Sequence, residues 1–183
     1  MLKIKLWQKL AWLVALLVLS GGAVANVRAQ TVGDYKVYLP VIMREYVYMP
    51  PFSLEVVTLT NQYRATVSCP ALKISTKLYL TAYNHSQDMA LNDFFDHTSP
   101  TYGSVAQRLS AAGYSWSGYA ENIAAGYSSP ASVVNGWLNS PGHKANIENC
   151  FLTEVGVGYF YLQNDTGSKN YHHYWTQTFG RPR

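Results

Sequence analysis

Residues 78–100 read LYLTAYNHSQDMALNDFFDHTSP, and the spacing within this stretch sets the expectation for the whole fold. Leu78, Ala82, His85 and Met89 recur at i, i+4, i+7 and i+11, which lines them along one face of an α-helix. Ser75 stands in front of that helix as a candidate cap. His85 falls on the apolar stripe, so it reads as an internal, hydrogen-bonded histidine. Upstream, Leu54, Val57, Asn61 and Arg64 mark a first helix that ends near Val67, before Ser68-Cys69-Pro70. Downstream, Ser104 with Gln107 forms a possible capping box for a short helix that stops at Gly113. Ser129-Pro130 and Ser140-Pro141 each carry the cap-then-proline start signal. Val155–Tyr161 and Tyr171–Phe179 read as strands, with Asn164-Asp-Thr-Gly167 turning between them. Helices that lead and strands that close predict an α+β domain, its helices packed on an antiparallel sheet.

The remaining composition narrows the class. The chain has 183 residues, 48% apolar and 13% charged, with 13 Gly and 8 Pro, so it is globular in composition and long enough for one domain plus an appendage. Its net charge of +4 is unevenly placed. Lys3, Lys5, Lys9 and Arg28 lie in the first 29 positions, where there is no acid, and from Gln30 onward bases and acids balance at 10 each. A grip on phosphates needs clustered basic residues, and no such cluster occurs, so nucleic acid is not an expected partner.

Those first residues are an address. Lys3, Lys5 and Lys9 precede the apolar run Leu10–Leu19, followed by small residues at Ala23 and Ala25, the pattern of a secretory signal cleaved after Ala25 or Ala29. The competing reading is an uncleaved anchor, because Leu10–Val27 carries no charge and approaches the roughly 18 residues of a minimal bilayer span. Residues 1–29 are therefore read as signal, 30–53 as a Tyr/Pro-rich linker or arm in which Tyr35–Met43 has the character of a strand, and 54–183 as the domain. Export puts Cys69 and Cys150, the only cysteines, in an oxidising compartment, where a disulfide is the expected state. Closing a loop of about 80 residues contributes on the order of 4 kcal/mol. The sharper alternative makes Cys150 a thiolate nucleophile, with no base placed beside it by sequence.

Three segments hold ionisable groups where turn chemistry puts the chain at the surface. They are Phe94–Pro100 with His97, Tyr119–Gly126 with Glu121, and Trp137–Ile147 with Ser140 and His143. Two imidazoles and a carboxylate suit a borderline divalent metal such as zinc. They equally suit general acid/base chemistry around a water or substrate, or three unrelated hydrogen bonds. Asn84-His-Ser86 and Asn164-Asp-Thr166 match the glycosylation acceptor pattern. His172-His173 reads as a solvated or paired surface dipeptide, because neighbours on a strand face opposite ways.

Five strings, in order, resemble the CAP superfamily, also called the SCP domain, which includes cysteine-rich secretory proteins, antigen 5 and plant pathogenesis-related proteins. They are the stretch quoted above, AENIAAG at 120–126, VVNGWLNSPGHKANI at 133–147, EVGVGYF at 154–160 and YWTQTFG at 174–180. The bacterial secreted branch is the most similar. The resemblance implies a three-layer α-β-α sandwich with a central, mainly antiparallel sheet and an open cleft lined in many members by two histidines and two acids. By motif, His97 and His143 are the histidines and Glu121 is the first acid. The second acid has no counterpart, since Leu138-Asn139-Ser140 occupies its place, leaving a triad with Ser140 nearby. The implied function is a secreted, monomeric binding module that holds a divalent metal, a small apolar ligand or lipid, a peptide or a cell-envelope component in that cleft, with the membrane engaged only through the N-terminal segment. The alternative is a metal-assisted hydrolase in which Glu121 is the base, or Ser140 a nucleophile served by His143. No G-x-S-x-G elbow supports it. Trp137 and Trp175 are expected in the core, and Tyr114, Trp116, Tyr119 and Tyr127 are candidates for the cleft wall.

Overall fold

The computed structural model describes Gln30–Val32, Tyr35–Val37 and residues 49–183. The signal or anchor segment lies outside the described residues. The first unit contributes a small antiparallel ladder, β1 (Gln30–Val32) with β2 (Tyr35–Val37), in the register Gln30 to Val37. Strand pairing within Tyr35–Met43 thus occurs at its first three residues, and the remainder of that run is not described.

The second unit runs α1 (Pro51–Thr66), β3 (Lys73–Ile74), α2 (Thr76–Leu91), α3 (Val105–Ala111), β4 (Trp116–Ala125), α4 (Pro130–Leu138), α5 (Pro141–Ile147), β5 (Glu154–Tyr161) and β6 (His173–Pro182). The sheet order is β3-β5-β6-β4. Only β3–β5 is parallel, and β5–β6 and β4–β6 are antiparallel. Helices α1, α4 and α5 bury Val56, Val57, Val133, Val134, Trp137 and Ile147 against Val155, Val157, Trp175 and Phe179 of the sheet. On the other side α2 sets Met89 and Ala90 against Tyr174 and Ile123, while Leu78 meets Leu109 of α3 and Tyr114. The result is the expected α-β-α sandwich.

Strand alternation explains how α2 lies so close to the sheet. Val155, Val157 and Tyr159 point to one face of β5, so Gly156 and Gly158 point to the other. A Cβ at Gly156 would strike the backbone of Leu78 and Tyr79, and one at Gly158 the backbone of Ala82 and Tyr83. Glycine is required at both positions by close backbone approach.

Three expectations need correction. The boundary between 53 and 54 falls inside α1, which starts at Pro51, where a missing N–H costs nothing. Its buried stripe is Ser53, Val56, Val57, Thr60 and Arg64, and Leu54 is exposed. The Tyr119–Gly126 segment, expected at the surface by turn chemistry, instead belongs to a full edge strand over Trp116–Ala125. Its Gly, Ala, Asn and Glu have low β-propensity, and the strand is held by its pairing with β6 from Tyr119 opposite Gly180 to Ala125 opposite Tyr174. The Asn164–Gly167 turn is one part of a longer connection, in which the buried Asp165 accepts hydrogen bonds from the Tyr174 hydroxyl (2.7 Å) and the His172 backbone N–H (2.9 Å).

Cys69 and Cys150 form a disulfide with Cα atoms 5.1 Å apart, joining the end of α1 to the loop after α5. That bond removes the reading of Cys150 as a nucleophile. Arg64, fully buried, sits at the same corner and donates to the carbonyls of Pro70 (3.0 Å), Ile147 (2.7 Å), Asn149 (3.1 Å) and Leu152 (3.2 Å). Of the acceptor sequences, Asn84-His-Ser86 lies in α2, and Ser86 is buried with its hydroxyl on Gly158 O and Thr176 Oγ1.

Candidate functional site

The site forms where the exit of α2, the edge strand β4 and the start of α5 converge. His97 follows α2 in a loop closed by reciprocal backbone bonds between Ser99 and Gly103 (3.0 Å each). Ser99 Oγ accepts from Thr101 N and Tyr102 N, and Asp96 Oδ1 from Thr98 N. Arg108, from α3, fastens the same loop by donating to His97 O (2.7 Å) and Gly103 O (2.8 Å).

Glu121 projects from β4 into this arrangement. Its Oε1 accepts from His97 Nδ1 at 3.0 Å and its Oε2 from Arg108 Nη2 at 2.6 Å. The Glu121 side chain is 2% exposed and that of His97 49%, so the carboxylate lies behind the imidazole. Burial alone would raise the Glu121 pKa, but the hydrogen bond from His97 and the Arg108 charge outweigh it and hold the group below its ordinary range. In the neutral His97 ring the proton sits on Nδ1 by this bond, which leaves Nε2 as the free lone pair. His85 stands on the inner side, fully buried, with Nε2 donating to Asp96 O (3.0 Å) and lying 3.9 Å from Glu121 Oε1. Burial pushes its pKa down to about 4, so it is neutral at pH 7.

His143 enters from the first turn of α5, which buried amides pin to β4. Asn146 Nδ2 donates to Glu121 O (3.2 Å) and Asn122 Oδ1 (2.8 Å); Asn122 Nδ2 donates to His143 O and Gln177 Oε1 (both 3.2 Å); Gln177 Nε2 donates to Thr60 Oγ1 (2.8 Å). With the Trp137 indole N–H on Ile123 O at 3.2 Å, these bonds also occupy outward carbonyls of the edge strand, which would otherwise invite another strand. The His143 pKa is lowered by partial burial and then by the charge of His97. His143 and Ser140 line a groove of about 320 Å³ with Phe95, Tyr127 and Tyr171.

The structure therefore brings His97 and Glu121 into contact, with His143 near enough to feel the His97 charge. No hydrogen bond joins Ser140 to His143. Of the four aromatic candidates, Tyr127 lines the groove. Tyr114 is buried with its hydroxyl on Glu154 (2.9 Å), and Trp116 and Tyr119 pack edge-on at 4.5 Å. Trp137 and Trp175 are buried, and His173 pairs through Nδ1 with the Tyr159 hydroxyl (2.9 Å). Sequence reasoning missed Arg108 and the Asn122–Asn146 pair. The only local signal for Arg108 is its position beside Leu109 on a helix too short to explain it.

As to metal, both Glu121 oxygens are engaged, and among the described residues no three His, Cys, Asp or Glu side chains are grouped to hold an ion. The three-ligand set anticipated from sequence does not fit a resident zinc in this arrangement.

The family model for the cysteine-rich secretory protein family, CAP, matches residues 57–179. The chain belongs to the CAP family. It is similar to the uncharacterized protein YkwD of Bacillus subtilis (strain 168), 41% identical over 128 residues covering 70% of this chain and 46% of that protein. Among solved structures, an extracellular SCP-domain protein from Bacillus anthracis str. Ames matches with a TM-score of 0.63 and 30% identity, over 74% of this chain and 45% of that one. An outer surface protein from Borrelia burgdorferi shares the fold, with a TM-score of 0.62 and 22% identity over 70% of this chain and 90% of that one. The chain spans less than half the length of the B. subtilis and B. anthracis proteins. At the end of α4 in this CAP domain, Asn139 caps the helix and its Nδ2 donates to Asn135 Oδ1 (3.3 Å). No described helix is long and apolar enough to cross a membrane.

Proposed function

We propose that this CAP protein is exported and acts as a binding module whose groove, lined by Ser140, His143 and Tyr127, takes a peptide segment. The observation that carries the reading is the engagement of Glu121 on both oxygens by His97 and Arg108. A carboxylate so held, with its pKa lowered, is a poor general base and is not free to ligate. Its role is to orient His97 from behind, as outer carboxylates orient imidazoles elsewhere. The polar groups lining the groove are the His143 imidazole and the Ser140 hydroxyl, walled by Phe95, Tyr127 and Tyr171. A purely apolar ligand would leave those polar groups unpaired, at a cost of about 1–3 kcal/mol each. A peptide offers amides to them and side chains to the rings. Export is supported by the N-terminal signal pattern, by the disulfide and by the extracellular character of the B. anthracis relative.

The test is native mass spectrometry of protein recovered from its own medium, beside Tyr127→Ala and His143→Ala. A co-purifying peptide mass lost in both variants supports the reading; a ligand retained equally by all three overturns it. Zinc calorimetry separates the metal reading, for which heats that vanish in His143→Ala would be required. Turnover of peptide or ester substrates lost in Glu121→Gln would restore the hydrolase.

A further inference from the structure

A second concavity has Arg108 in its lining. It is a trough of about 510 Å³ between α2 and α3. Along α2, Leu80, Asn84, Gln87 and Leu91 face it at i, i+4, i+7 and i+11, so one exposed stripe carries leucines at both ends and amides between them. Both leucines are open to solvent, 46% and 57% exposed, as is Tyr102 on the facing wall at 59%. Ala111 and Ala112 complete that wall, and their small side chains are what leave the trough open.

The polar group at this trough is unusual. Asp88 lines it and is 4% exposed. One oxygen accepts from Asn92 Nδ2 at 2.7 Å, and the other, Oδ2, is buried with no partner among the described residues. No described cation lies within 4.0 Å of it. A buried carboxylate lacking a counter-charge is costly, by several kcal/mol in general, and native proteins rarely leave such an acceptor unused. The other charged group lining the trough is Arg108, whose Nε is also without a partner, but its charge is matched by Glu121 at 2.6 Å. Asp88 is thus the only carboxyl group in the trough lining, and the Arg108 charge is directed at Glu121, outside it.

From this arrangement we propose that the α2–α3 trough is a binding site for an amphiphilic amine, its ammonium on Asp88 and its apolar body along Leu80, Leu91 and Tyr102. The ammonium supplies both the missing proton donor and the missing charge. An alcohol supplies only the first, and a carboxylate neither. The site is separate from the groove lined by His143 and does not depend on the function assigned to it. Arg108 lines the trough and also bonds His97 O and Glu121, so a ligand in the trough touches the residue that holds both in place.

Isothermal calorimetry of the full chain with n-octylamine, n-octanol and sodium octanoate tests this, because the tail is constant and only the head changes. The amine is expected to bind at least tenfold more tightly than the alcohol or the carboxylate. Asp88→Asn, which keeps the shape and the Asn92 contact, should remove most of that preference. Ala111→Trp, at an exposed position, should fill the trough and abolish binding, with thermal unfolding confirming that both variants fold. Equal affinities for the three heads, an amine affinity untouched by Asp88→Asn or Ala111→Trp in folded protein, or no binding of the amine would each overturn the proposal.

Discussion

Two arginines are buried in this domain, and they are buried differently. Arg64 lies beneath the disulfide corner, fully inaccessible, with four backbone carbonyls and no carboxylate around it. Burial lowers its pKa. Arg108 lies behind the cleft with one carboxylate, two carbonyls and an unpartnered Nε. The first organises main chain from two separate segments, Pro70 and the 147–152 stretch, and serves architecture. The second fixes one side chain, Glu121, and one loop, the His97 loop, and so serves the site. The same residue type acts as a hub for backbone in one place and as a counter-ion in the other.

The largest effect is expected at the first. Arg64→Met should destabilise by about 5 kcal/mol, because four carbonyls lose a shared charged donor and no single second change can replace it. Denaturant unfolding measures this, with loss of the soluble fold as the extreme outcome. Arg108→Met should cost about 4 kcal/mol by stranding the buried Glu121 charge, and here a second change does help. The double variant Arg108→Met/Glu121→Leu should recover more than half of the loss, since removing both partners of a buried pair is often close to neutral. A double variant no more stable than the single one would erase the distinction between the two arginines.

Acid sharpens the contrast further. His85 has its pKa lowered to about 4 from 6.5, so the folded form resists protonation. The associated stability is fully present above pH 6.5 and falls by about 3 kcal/mol as pH drops towards 4. Glu121, whose pKa is also lowered, keeps its contribution until pH falls below the ordinary carboxylate range. Unfolding free energy measured from pH 7 to 4 should therefore decline in the wild type and decline much less in His85→Gln, which retains a donor for Asp96 O and does not titrate. The smallest expected change is His143→Ala. Its ring makes no hydrogen bond, so stability should move by less than about 1 kcal/mol while occupancy of the cleft changes.

The helices and the closing strands were legible because their cues are local. The four-residue rhythm of α2, the capping box at Ser104 and the alternation of Val155 and Val157 each act within a few residues. The strand β4 was not, since Glu121, Asn122 and three alanines give little β signal, and the strand exists because β6 is paired to it. Pro50-Pro51 falls in the Tyr/Pro-rich arm by composition, although proline at the first turn is also how a helix begins. His97, Glu121 and His143 stood out by chemical type, but their relation did not. That Glu121 stands behind His97 instead of beside it depends on Arg108, and α3 crossing close to β4 is a tertiary fact with no trace in spacing. His85 was rightly placed on the apolar stripe, and nothing in its period told that Glu121 would come within 3.9 Å of it.

The disulfide corner has a redundancy built into it. The guanidinium of Arg64 already gathers Pro70, Ile147, Asn149 and Leu152, residues that flank Cys69 and Cys150 on both sides. Hydrogen bonds therefore hold the two cysteine-bearing segments side by side independently of the sulfur link. The corner is clasped twice, once through main-chain carbonyls and once through the covalent bond.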